Sequence, residues 1–157
     1  MTITFNALDT TSVKSAIAEL QRQGLEQQQN INDACLDLAT LGATQASLDY
    51  ARCPYDGNKD VSISVEEIPF GARIVASGES VLFLEYGSGV TMGYGHPRPD
   101  GYGPGTYNQL SNNWRNPKGW WYGKRQHSYG NPPAMAMWNA EQVVIDRANE
   151  TLNGVVR

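Results

Sequence analysis

Histidine, cysteine and charge are all scarce in this 157-residue chain, which has two histidines, two cysteines and 18% charged residues. Each shortage removes a class of function. Cys35 and Cys53 stand on dissimilar segments, with no zinc spacing between cysteines and histidines, so two reduced thiols are expected rather than a disulfide or a metal centre. His96 and His127 have no second ligand at helical spacing. There is no GxSxG elbow, and "GYGPG" lacks the Lys-Ser/Thr ending of a phosphate loop. Glu85 and Asp100 can be imagined as a carboxylate pair, but nothing in the sequence sets their separation. No catalytic residue, metal or cofactor is expected. No apolar run approaches the roughly 20 residues that a membrane-spanning helix needs. The opening "MTITFNALDTTS" lacks a basic region followed by an apolar core, so no secretory signal is expected. A net charge of −4 gives no general attraction to nucleic acid or acidic membranes.

What is present divides the chain into four stretches of a single domain. Residues 11–52 are expected to be helical, with Thr11 or Ser12 as the cap. Val13, Ile17, Leu20, Gly24, Gln28, Ile31, Cys35, Leu38 and Gly42 recur at steps of three and four and share one face. Gly24 is a weak point, so one kinked helix and two helices both fit, and "LGATQ" is the expected stop near Leu41 or Gly42. Residues 60–87 are expected to form a β-meander of three strands. "DVSISVEEIP" alternates strictly, "IPFG" turns, and a tight turn over residues 77–80 leads to "VLFLEY", the expected buried central strand. Residues 134–153 carry a second helical stripe through Met137, Ala140, Val144 and Ala148, with Pro132 and Pro133 before its first turn. The expected fold is α+β: a long N-terminal helix packed on a small antiparallel sheet, a long Gly/Pro/aromatic loop and a C-terminal helix.

Residues 88–133 are the unusual part. From Tyr86 to Pro133 the chain holds 10 of its 16 glycines, 6 of its 8 prolines, 6 of its 8 tyrosines and 3 of its 4 tryptophans. Five basic residues stand there against Asp100 alone, giving +4, while the rest of the chain carries −8. Loops this long are rare in compact domains unless they function. Trp, Tyr and Arg dominate interface energies, so an arm that docks on a neighbouring copy fits this composition. Disorder, which Gly and Pro favour and Tyr and Trp do not, aromatics capping the chain's own core, a nucleic-acid surface and a sugar-binding patch are the alternatives.

Five strings in order carry a resemblance: "YDGNKDVSISVE", "ASGESVLFLEYGSGV", "GHPRPDGYGPGTY", "GWWYGKR" and "GNPPAMAMWNA". Over about residues 49–141 the chain resembles the minor tail-component, or tail completion, family of long-tailed bacteriophages. Phe83, Leu84, Glu85, Tyr86, Gly87, Ser88 and Gly89 match that family's strand ending in Phe/Leu-Glu-Phe/Tyr-Gly-Thr/Ser-Gly. Many members carry a Pro-Val-Asp-Thr-Gly turn before the first strand; here "CPYDGNKD" keeps only Asp56-Gly57. The resemblance implies a non-enzymatic virion protein of the head–tail neck, made in the bacterial host. It implies a self-assembled ring, hexameric or dodecameric, that meets a tail tube or tail terminator protein and a head-side connector, with DNA only passing through. Completion protein, terminator and connector are not separated by these residues. The expected contact residues are Tyr102, Trp114, Trp120, Trp121, Tyr122 and Arg125 on the arm. Glu85 is the expected charge partner, beside Tyr86, and Gly87 and Gly89 are the expected hinge.

Overall fold

The computed structural model describes residues 10–55, 57–89, 92–93, 95–97, 116–122 and 126–155. The order is α1 (Thr10–Arg52), β1 (Ser62–Ile68), β2 (Gly71–Ser77), α2 (Val81–Tyr86), β3 (Trp120–Tyr122), β4 (Gln126–Ser128) and α3 (Ala136–Val155). β1 and β2 form one antiparallel hairpin, and β3 and β4 form another. A long N-terminal helix, a small antiparallel sheet and a C-terminal helix thus make an α+β fold.

α1 is one helix of 43 residues, about 64 Å long at 1.5 Å per residue. It passes through Gly24 and does not stop at Gly42. Gly42 is instead a contact point. A Cβ there would lie 2.6 Å from Ile74 Cδ1 and 2.8 Å from Val144 Cγ2. The glycine lets α1, β2 and α3 approach closely, which offsets its intrinsic helix cost of about 1 kcal/mol. Neighbouring small residues extend the seam: Ala39 and Ala46 on α1, Ala136 and Ala140 on α3, all buried. Gly42→Leu is therefore expected to lower stability by about 2 kcal/mol despite its better helix propensity. Urea denaturation checks this; an unchanged midpoint would mean the three elements do not meet tightly there.

The core is compact and rests on one end of α1. Ala46, Tyr50, Cys53, Leu84, Ala136 and Ala140 form its centre. Val61, Ile63, Ile74 and Ala76 pack onto it from the hairpin. Register explains this choice: Ile63 pairs with Ala76 and Val65 with Ile74, so these residues share the inward face. Glu66 pairs with Arg73 on the other face, Nε to Oε2 at 2.7 Å. The hairpin turns at Pro69-Phe70. Phe70 has φ +64° and is well exposed.

The expected third strand is a helix. "VLFLEY" forms α2, so the meander over residues 60–87 is a hairpin followed by one and a half helical turns. The run buries two consecutive residues, Leu84 and Glu85. Adjacent residues of a strand point to opposite faces, whereas in a helix they lie only about 100° apart. Asp60 helps start α2 from outside. Its carboxylate accepts the Glu79 amide at 2.6 Å and the Ser80 amide at 2.9 Å. The Ser80 side chain first, and then these amide bonds, hold the Asp60 carboxyl below its ordinary value. A short apolar run cannot announce this choice, because strand and buried helix share its pattern.

α3 also begins differently from its sequence pattern. It starts at Ala136, three residues after Pro133, with Met135 at φ +53° before it. Met135 has no side-chain acceptor for the first amides of the helix, and a distant residue supplies one.

Candidate functional site

That residue is Glu85. Its side chain is 6% exposed. Oε2 accepts the Met137 amide at 3.0 Å and the Tyr50 hydroxyl at 2.9 Å. Oε1 accepts the Trp138 amide at 3.1 Å and lies 3.2 Å from His96 Nε2. The carboxylate thus caps α3 from another element, where amides lack helical partners and the helix dipole favours negative charge. The backbone repeats the tie: Ala134 donates to the Leu84 carbonyl at 2.7 Å and Met135 to the Glu85 carbonyl at 3.2 Å. One carboxylate therefore joins α1, α2, α3 and the segment around His96.

The surroundings close over it. The His96 ring lies 4.3 Å from the Tyr86 ring, centre to centre, and 6.4 Å from that of Trp138. Burial pushes the Tyr50 hydroxyl far above the ordinary tyrosine range, and the Glu85 charge and hydrogen bond push it further. This raised value has a definite sign. Above about pH 10 the unfolded chain loses the Tyr50 proton while the folded chain keeps it, so stability falls as pH rises. The expected loss is up to about 1.4 kcal/mol per pH unit from that point upward. Tyr50→Phe should remove this component, and parallel urea titrations at pH 9 to 11 compare the two slopes. Equal slopes would show that Tyr50 ionises freely.

Three donors, the Tyr50 hydroxyl and the Met137 and Trp138 amides, bind Glu85 and the His96 ring lies beside it, so the carboxylate ties distant parts of the fold together. Within the chain, His96 is the ring that the structure places against this carboxylate. Among the described residues, no group of three or more His, Cys, Asp or Glu is placed to hold a metal ion. Both cysteines are free thiols; Cys35 is half-buried, and burial pushes the Cys53 thiol up.

Directly after α2 the chain is strapped to the segment before α3. Ser88 and Asn131 exchange backbone bonds at 2.9 and 3.1 Å. Asn131 is buried, and its side chain donates to the Phe83 carbonyl at 2.9 Å. Gly87 and Gly89, the expected hinge, flank this strap with φ +76° and +79°. A Cβ on Gly87 would lie 2.7 Å from the Asn131 carbonyl oxygen. In this arrangement their role is close backbone approach, which only glycine permits.

The strap holds the aromatic hairpin. Residues 120–122 and 126–128 pair as β3 and β4, so part of the expected irregular loop is sheet. Strand alternation then separates the two adjacent tryptophans. Trp120 turns toward the body, where a Cβ on Gly89 would lie 3.2 Å from its Cζ3. Trp121 points outward and is 63% exposed. It pairs across the strands with His127, whose ring centre is 4.7 Å away. His127 in turn lies 4.7 Å from the exposed Tyr129 ring. Three rings therefore line the outer face in edge-to-face order. Neither this ladder nor the cap on α3 was expected. Two-residue alternation around "GWWY" and "QHSY" was the available signal for the ladder. Nothing local marks the contact between Glu85 and residues 137–138.

Of the other expected contact residues, Tyr102, Trp114 and Arg125 lie outside the described residues, as does the Tyr122 side chain. No family model, curated protein or solved structure matches this chain.

Proposed function

We propose that this chain is a structural subunit of a bacteriophage head–tail junction, completing or joining the tail as part of an oligomeric ring. The observation that carries the reading is the outward aromatic face of Trp121, His127 and Tyr129 on a hairpin strapped to the body. Exposed aromatics held in place lose little entropy on docking, and such residues dominate interface energies. The five-string resemblance to tail completion proteins supplies the setting. The partners would be other copies of the chain, the tail tube or terminator, and the head-side connector. Its place would be the virion neck, with DNA passing through the ring.

The charge split supports the same reading. The segment from 86 to 133 carries +4 and the remainder −8, so one copy's arm and its neighbour's body attract each other. The test is electron microscopy of particles from a phage carrying an early stop codon in this gene. Filled heads beside unattached or overlong tails are expected, and tail length separates joining from completion. Normal infectious particles would overturn the proposal and leave the aromatic face as a carbohydrate- or nucleic-acid-binding surface.

A further inference from the structure

The buried residues of α1 begin at Ala39. Cys35 and Leu38 still line a groove with Gly71, Ile74 and Val144; before them, residues 11–34 hold no buried residue and span about 36 Å at 1.5 Å per residue. Apolar residues there are left in the open: Ile17 is 49% exposed, Leu20 57% and Ile31 53%. An isolated helix of this kind, with Gly24 in its middle, is marginal in water. Within the helix, Arg22 pairs with both Glu19 and Glu26, its Nη2 lying 2.6 Å from Glu19 Oε1. That cluster, like the 73% exposed Leu25, stands on the side away from Ile17, Leu20 and Ile31.

Val13, Ile17, Leu20, Gly24, Gln27, Ile31, Ala34 and Leu38 step by four and three in strict alternation. This is the seven-residue repeat of a coiled-coil seam. The positions beside it are Lys14, Gln21, Gln28 and Cys35 on one flank, and Ala16, Gln23, Asn30 and Asp37 on the other. No block of like charge lies along either flank.

We infer that two copies of the chain pair through these projecting helices, side by side and antiparallel. Three observations select this occupant and direction. The first is volume. Antiparallel pairing sets Val13 opposite Leu38, Ile17 opposite Ala34, Leu20 opposite Ile31, and Gly24 opposite the long Gln27. Parallel pairing would stack glycine on glycine and leave a gap. The second is charge. Residues 10–24 carry +1 and residues 25–38 carry −3, so antiparallel pairing opposes unlike halves while parallel pairing sets −3 against −3. The third is length. In the antiparallel register the end of each helix at Thr10 comes level with Leu41 of the other. The first apolar residue of each helix, Val13, then reaches the apolar groove that Leu38 lines on the other copy. Such a pair is two-fold and closed, so it does not itself build a ring. It belongs to the free subunit and stands apart from the neck proposal.

Disulfide trapping of the full chain tests it, in a Cys35→Ser background that leaves the buried Cys53 in place. Leu20→Cys and Ile31→Cys are prepared separately, then oxidised alone and as a mixture. A linked dimer is expected in the mixture, with each variant alone remaining unlinked. Sedimentation of the unmodified chain should give a dimer mass, lost in Leu20→Glu with Ile31→Glu while the thermal transition of the body is retained. Self-linking of Leu20→Cys alone would mean parallel pairing and overturn the inference. A monomer mass for the unmodified chain at every concentration would also overturn it. Neither outcome bears on the stop-codon phage, whose particles report on the neck role alone.

Discussion

Glu85→Ala is expected to destabilise the fold by about 4 kcal/mol, a large fraction of the roughly 5–15 kcal/mol that holds a domain folded. The substitution removes the carboxylate that accepts from the Tyr50 hydroxyl and from the Met137 and Trp138 amides in a buried site. Each orphaned donor costs about 1–3 kcal/mol, and removing one member of a buried charged cluster exposes that full penalty. Glu85→Gln separates shape from charge. Gln keeps the volume but replaces one accepting oxygen with an NH2 group facing donors, so a smaller loss of about 2 kcal/mol is expected. Denaturant unfolding followed by far-UV circular dichroism measures both variants. If Glu85→Ala lay within about 1 kcal/mol of the unmodified chain, the carboxylate would not be the tie between α1, α2 and α3.

The second large effect separates two adjacent tryptophans. Trp121→Ala is expected to leave stability within about 0.5 kcal/mol, because the ring is 63% exposed. Its cost should fall on assembly instead, by about 2 kcal/mol per contact or roughly thirtyfold in binding. Trp120→Ala should do the reverse. Its ring faces Gly89 under the hairpin, so truncation opens a gap and costs about 2 kcal/mol of folding stability. Purified variants give the stability half by denaturation. Complementation of the stop-codon phage by plasmid-borne variants gives the assembly half as a titre. Full complementation by Trp121→Ala would remove the outward aromatic face as the docking surface. Equal destabilisation by both substitutions would make the pair ordinary core.

Several elements were legible without coordinates because their signals are local and periodic. The three-and-four spacing from Val13 to Leu38 marks the long helix. Alternation in "DVSISVEE" marks β1, and "IPFG" marks its turn. The stripe through Met137, Ala140 and Val144 marks α3. These patterns depend only on backbone period and on which side chains leave water. The general α+β arrangement follows from them.

Other features depended on contacts between residues far apart in the chain. "VLFLEY" is a helix because Asp60 supplies acceptors about twenty residues away and because Leu84 and Glu85 must both face inward. Gly42 resembles a helix stop until Ile74 and Val144 are placed against it. Glu85 looked available for a partner until Tyr50, His96 and the amides of α3 surrounded it. The chemical needs of these residues — an acceptor for each buried donor, space for a close approach — are determined by residue type and were present in the sequence all along. Which residues meet those needs was decided by tertiary structure, because loop closure brings them together and no local period records it.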